Sequence, residues 1–332
     1  MSERQLHPFA WQQEQWQQLL DMHRQGRLPH ALMLAGPQGV GKRHFAQAFA
    51  RWVMCSAPVD DRPCGQCRSC QLHSSETHPD FMLIEPEEQG KAIKVDQVRD
   101  LTELLSKTAQ QGGYKVAVVA PAEAMNLNSA NAILKSLEEP AAQTLMILIS
   151  HTPSAVLPTI RSRCQIRSFN IPPAAMVEAW LAPLLQGREV PLQVLMKEAN
   201  GAPLAALDLL EKDALTLRQE YLAGFTRLSL HQASGVEVAA KWYGGDNPAL
   251  MDWYLSQLHR LTRYLSLRDA SELLGWPSEL IARVEKVNPN ILHRYLEKVL
   301  LTKRQLLSGA NPNKQLLWEE LLLDWLVVLR AK

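Results

Sequence analysis

The apolar and polar positions divide the chain into two textures. In the first half, short continuous apolar runs alternate with stretches in which apolar residues recur every three or four positions. Leu32-Met33-Leu34-Ala35, Asp80-Phe81-Met82-Leu83-Ile84, Tyr114 to Ala120 and Leu145 to Ser150 have strand length, and Cys164 to Phe169 is a further candidate. A strand covered on both faces loses the polar alternation of a half-exposed one, which suits the β-branched run around Val116, Val118 and Val119. Between these runs, His44 to Trp52, Val95 to Leu105 and Asn126 to Glu138 carry the helical period, and Pro140 stops the last of them. A helical lead-in over residues 1–29 spaces Trp11, Trp16, Leu19 and Leu20 before Gly26 and Pro29 break it. Strands alternating with helices predict an α/β domain, a parallel sheet with helices on both faces.

At Ile171-Pro172-Pro173 the texture changes, and only helical patterns follow: Met176 to Leu185, Val190 to Ala199, Pro203 to Leu210, then longer ones. Gly201 and Gly244-Gly245-Asp246-Asn247-Pro248 mark breaks between helices. We expect an α/β domain over 1–170, a small helical domain over 171–211 and an all-α domain over 212–332. A length of 332 residues exceeds one ordinary core, which agrees with several domains.

Composition narrows the function classes. Hydrophobic residues at 46% and charged residues at 21% belong to a globular chain, not a disordered one. A formal net charge of +1 gives no whole-chain field for nucleic acid, so any such contact needs a local patch or partners. No apolar run reaches the roughly 18 residues needed to span a bilayer, and Met1 to Gln18 has no signal-peptide core. The expectation is a cytoplasmic protein.

Two constellations carry chemistry. Gly36-Pro37-Gln38-Gly39-Val40-Gly41-Lys42-Arg43 follows the first strand and opens a helix, with the spacing of a P-loop. In such a loop the backbone amides cradle phosphates and the lysine reaches the β/γ oxygens, so Gly36, Gly39, Gly41 and Lys42 are nucleotide-binding candidates. Arg43 stands where the pattern has a Ser or Thr hydroxyl for Mg²⁺, and a guanidinium cannot ligate a cation. From the loop alone, a working nucleotide site and a turn that survives only as architecture both stay open.

The second constellation is Cys55-x₈-Cys64-x₂-Cys67-x₂-Cys70, four of the five cysteines. Clustering of this kind in a cytoplasmic chain argues for metal over disulfide. Four thiolates close a tetrahedral Zn²⁺ shell without an open position, hence a structural site. Asp60, Asp61, Arg62 and Arg68 make the segment too polar for unligated core cysteines, and an iron–sulfur site is the residual alternative. Cys164 stands apart and is expected to pack as a small hydrophobe.

The P-loop, the Cys₄ insertion, Asn131-Ala132-Ile133-Leu134-Lys135-Ser136-Leu137-Glu138-Glu139-Pro140 and Ser162-Arg163-Cys164 together resemble the bacterial DNA polymerase III clamp loader. Asn311-Pro312-Asn313-Lys314 to Leu323 is similar to the last collar helix of that family. The resemblance implies an AAA+ module with a helical lid, joined to a collar domain that assembles a heteropentamer. It also implies γ/τ-type motor subunits and a δ subunit as partners, and the sliding β clamp and primed DNA as targets of the complex.

Within that family, the motors end their Walker B strand in Asp-Glu, which here is Ala120-Pro121, and the sensor-2 arginine position falls on Pro203-Leu204. The sensor-1 position falls on Ser150 or Thr152; Glu123 is out of register for a metal or water-activating role. Arg163 corresponds to the family's arginine finger, donated in trans to a neighbour's nucleotide. The resemblance therefore implies a loader subunit without its own ATPase that completes an adjacent site. The rivals are a hydrolysing motor subunit and a zinc-containing nucleic-acid-binding module. Glu138 and Glu139 are taken as helix-end and interface residues, His30 and His78 as structural, and Leu316 to Leu329 as core or a subunit-packing surface.

Overall fold

The computed structural model describes residues 7–88, 90–186, 190–211, 214–243, 249–307 and 313–330. The Gly244 to Pro248 break and Asn311-Pro312, the start of the collar motif, lie outside the described residues. The chain divides into two compact units, Met1–Trp180 with Ala202–Ala205, and Leu181–Gly201 with Ala206–Lys332.

The first unit is built on five strands: β1 (Ala31–Ala35), β2 (Phe81–Ile84), β3 (Lys115–Val119), β4 (Thr144–Ser150) and β5 (Gln165–Ser168). They form one sheet in the order β2-β3-β4-β1-β5, and every pairing is parallel. Its helices are α1 (Gln13–Arg24), α2 (Lys42–Val53), α3 (Arg68–Ser74), α4 (Val95–Ser106), α5 (Leu127–Glu138) and α6 (Pro158–Arg161). Side chains alternate across a strand, and here both faces are apolar. Leu32 and Leu34 pack with Trp16, Phe45 and Phe49 of α1 and α2, while Ala31 and Met33 pack with Val98, Leu101, Ile133 and Ile160 of α4, α5 and α6. Parallel strands covered by helices on both faces are the arrangement that the apolar runs predict. The Asn126 side chain accepts from the Ser129 amide at 2.9 Å and so caps α5.

The remaining helices are α7 (Ala174–Leu181), α8 (Leu192–Glu198), α9 (Pro203–Glu211), α10 (Ala214–Ser229), α11 (Gly235–Tyr243), α12 (Ala249–Leu267), α13 (Ser278–Val284), α14 (Pro289–Leu307) and α15 (Lys314–Val328). The pattern over Met176 to Leu185 predicts one helix, but α7 stops at Leu181 and a 3₁₀ turn spans Ala182–Leu185. Pro183 explains the change, because it removes a helical amide and clashes with the preceding turn. The second unit's core joins Phe225, Tyr254, Tyr295 and Trp325. Two of its buried hydroxyls form a chain: Tyr254 donates to Tyr295 Oη at 2.7 Å, and Tyr295 donates to the Leu321 carbonyl at 2.8 Å.

A buried ion pair ties α8 to α12 in the second unit. Arg260 is 1% exposed, pairs with Glu198 at 2.7 Å and donates to the Glu272 carbonyl at 2.7 Å. Removing one partner of a buried pair strands the other charge. Glu198→Ala is therefore expected to cost about 3–5 kcal/mol, read as a lower urea midpoint, with Glu198→Gln costing less.

Candidate functional site

The P-loop leaves β1 at the carboxyl edge of the sheet and enters α2. Gly36 has φ +149°, and a Cβ there would sit 1.9 Å from the Phe169 carbonyl oxygen, so only glycine fits. Gly39 has φ +82°, and its carbonyl accepts the Leu204 amide at 2.8 Å. The segment at the sensor-2 position thus meets the loop through backbone, not through a guanidinium.

Lys42 is 3% exposed. Its ammonium donates to the Gly36 and Pro37 carbonyls at 2.5 Å each. Burial pulls its pKa down to about 8, against the opposing influence of Glu123. Arg43 turns to the end of β2 and pairs with Glu85 at 2.5 Å. β3 runs out at Val119 into Ala120-Pro121.

Glu123 sits in a 3₁₀ turn, Ala122–Ala124, and accepts the His151 and Thr152 amides at 2.8 and 3.1 Å. It braces the end of β4. Burial lowers the His151 pKa, Lys42 lowers it further and Glu123 opposes. Ser150 Oγ is buried with no hydrogen-bond partner among the described residues.

The four cysteines converge between α2 and α3. Their sulfurs all lie within 4.8 Å of one another, with Cys55 to Cys67 and Cys64 to Cys70 at 3.9 Å. A tetrahedron with Zn–S legs of about 2.3 Å has edges of about 3.8 Å, so the donor set fits Zn²⁺. Backbone amides point at the sulfurs: Cys64 N to Cys55 Sγ at 3.3 Å, Cys67 N to Cys64 Sγ at 3.3 Å and Cys70 N to Cys67 Sγ at 3.5 Å. Such donors favour thiolate. Burial opposes ionisation of Cys67, but hydrogen bonds from the Cys70 amide and Ser56 outweigh it and bring the thiol to about 6; burial pushes Cys70 up. All five cysteines are free, and burial holds the isolated Cys164 near 12.

Two histidines tie this module to the sheet. His78 Nδ1 accepts the Asp80 amide at 3.1 Å, which leaves Nε2–H for Ser69 Oγ at 2.9 Å. The His73 ring lies 4.5 Å from that of His78. Burial, with His78 and Arg51 adding to it, takes the His73 pKa down to about 3. Unfolded His73 titrates near 6.5, so between about pH 6.5 and 3 the unfolded chain binds a proton that the folded chain refuses. Stability is full above that window and falls as pH drops through it, by up to about 1.4 kcal/mol per pH unit. Thermal melts from pH 7 to 5 should show this slope, reduced in His73→Leu.

Arg163 follows α6 and precedes β5. Its Nη1 donates to the Thr159 carbonyl at 2.9 Å, and its Nη2 pairs with Glu138 Oε1, at the end of α5, at 2.5 Å. Gln165 of β5 is in register with Leu32, and Ser168 with Ala35. Since β1 and β5 are parallel, Arg163 lies at the amino edge of the sheet and the P-loop at the carboxyl edge, about 17 Å of strand apart. The structure does not bring Arg163 to its own chain's P-loop. The Glu138 pairing has no local sequence signal, because its partner lies beyond an intervening strand.

A glycine loop on the central region of an all-parallel sheet, with a tetracysteine module after the first crossover helix, defines a P-loop α/β protein. Residues 11–173 match the family described as "DNA polymerase III, delta subunit", and residues 212–326 match "DNA polymerase III, delta subunit, C terminal". The chain is 39% identical to the DNA polymerase III subunit delta′ of Pseudomonas aeruginosa, over 96% of this chain and 97% of that one. It is 30% identical to the subunit of the same name in Yersinia pestis, over 96% and 95%, and to that of Escherichia coli, over 95% and 94%. The chain belongs to the DNA polymerase III subunit delta′ family. No helix among the described residues is long and apolar enough to cross a membrane.

Proposed function

We propose that this chain is a clamp-loader subunit that hydrolyses no ATP itself and completes the ATP site of a neighbouring motor subunit with Arg163. One observation carries the reading: the finger arginine and the P-loop occupy opposite edges of one parallel sheet. In a ring of related subunits, that placement lets one subunit's Arg163 edge face the next subunit's nucleotide edge. Loss of catalytic parts supports the other half. Ala120-Pro121 offers neither a Mg²⁺ ligand nor a water activator, Arg43 replaces the metal-binding hydroxyl, and Lys42 is turned onto loop carbonyls. Phosphoryl transfer depends on positioning and charge neutralisation, so these losses together leave no turnover.

On this reading, residues 171–211 act as the lid and 212–332 as the collar of a heteropentamer with γ/τ-type motors and a δ subunit, in the cytoplasm at the replication fork. The complex loads the sliding β clamp onto primed DNA. Cys55, Cys64, Cys67 and Cys70 hold a structural Zn²⁺ that staples the segment between α2 and β2; the amide-to-sulfur bonds orient the thiolates for it. The test is clamp loading by purified motor and δ subunits with primed DNA, with and without this chain. Loading that needs the chain supports the role, and equal loading without it rejects the role.

A further inference from the structure

The ion pair between Glu138 and Arg163 assigns a task to a residue that the finger motif leaves out. Arg163 is held at two points. Thr159, four residues earlier, accepts from Nη1 at 2.9 Å, and Glu138 takes Nη2 at 2.5 Å. The two anchors come from different elements, since Thr159 lies in α6 and Glu138 is the last residue of α5. Both helices are fixed through the same core, where Ile133 and Leu137 of α5 meet Ile160 of α6. The guanidinium therefore sits on a rigid support rather than on a freely rotating stem.

The remaining capacity of the group matters as much. A guanidinium has five N–H donors, and these two bonds use one on each terminal nitrogen. Nε–H and one N–H on each terminal nitrogen remain for a phosphate, so a ligand can be engaged without breaking either anchor. The Arg163 side chain is 35% exposed and that of Glu138 48%, so the pair sits at the surface where an incoming anion can reach it. A long arginine left untethered loses considerable rotamer freedom when it docks; one already held loses less.

We propose that Glu138 is a positioning residue for Arg163, presetting the guanidinium for a polyphosphate on a neighbouring chain. This rests on the trans-finger reading above, and the experiment separates the two. Steady-state ATP hydrolysis by the assembled loader with clamp and primed DNA is measured with this subunit as wild type, Arg163→Ala, Glu138→Ala, Glu138→Gln or the Arg163→Ala/Glu138→Ala double variant.

Glu138→Ala should lower the chain-dependent kcat about tenfold with KM unchanged, well inside the roughly 10²-fold that an ångström of misplacement costs. Glu138→Gln keeps an acceptor oxygen and should recover part of the rate. Glu138→Ala should add nothing to Arg163→Ala. Thermal melting and gel filtration of each assembly confirm that the variants fold and assemble. If Arg163→Ala removes the stimulation while both Glu138 variants match wild type, or exceed it, the positioning role is overturned and the finger stands. Stimulation unaffected by Arg163→Ala overturns the finger itself. A Glu138→Ala loss equal in both Arg163 backgrounds also overturns the proposal, because it would reveal a structural effect.

Discussion

Arg163→Ala is expected to stop hydrolysis at one nucleotide site of the assembled loader while leaving the chain's fold and its place in the assembly intact. An arginine finger supplied in trans contributes about 10³–10⁵ in rate, so the dependent site should fall by at least about 10³ in single turnover. On the proposed reading, the other sites keep fingers of their own. Steady-state hydrolysis should therefore fall to the share of the remaining sites, while clamp loading, if it needs every site, falls further. The substitution removes a half-exposed ion pair with Glu138 and a bond to the Thr159 carbonyl. Exposed pairs contribute about 0–1 kcal/mol, so the melting temperature should barely move. Rapid-quench measurement of ATP cleavage, beside a thermal melt, separates the two effects. Unaltered cleavage at every site would remove Arg163 from the mechanism.

Loss of the tetracysteine module should have the next largest effect. Cys67 contributes its sulfur to the cluster and also caps α3, accepting the Cys70 amide. Cys67→Ser is expected to reduce bound zinc from about one per chain to near zero, since a fourth thiolate closes the tetrahedral shell. Metal binding energy is folding energy for the segment it organises, so at least about 2 kcal/mol of stability should go with it. The damage should centre on the segment between α2 and β2, with the sheet retained, because the strands' apolar contacts lie in cores that the four cysteines do not join. Metal analysis and hydrogen exchange over residues 55–78 read this directly. A chain purified without zinc yet as stable as wild type would contradict the zinc assignment.

The sheet was legible because its strands are buried on both faces and announce themselves as uninterrupted apolar runs. Lys115 to Val119 and Leu145 to Ser150 show this most plainly, being buried at every position. The order β2-β3-β4-β1-β5 was not legible, because register among parallel strands comes from long-range packing that no local period records. α3 and α6 escaped for a simpler reason. At seven and four residues they are too short to display a hydrophobic period. In the site, the P-loop and cysteine spacings are local and could be read from the chain. The inward turn of Lys42, the brace from Glu123 to His151 and Thr152, and the tether from Glu138 to Arg163 depend on residues brought together by the sheet. Glu123 shows the difference well: its position in sequence fits no motor role, and its carboxylate proves to bind backbone amides.

The central claim joins two halves, an inactive site in this chain and an active one beside it that this chain completes. Steady-state ATP hydrolysis tests both at once when measured for this chain alone, for the motor and δ subunits with clamp and primed DNA, and for that mixture with the chain added as wild type or Arg163→Ala. The account predicts no turnover by the chain alone, stimulation by the wild type and a weakened response with Arg163→Ala. Substantial hydrolysis by the chain alone, abolished by Lys42→Ala, would contradict it and make the chain a motor in its own right.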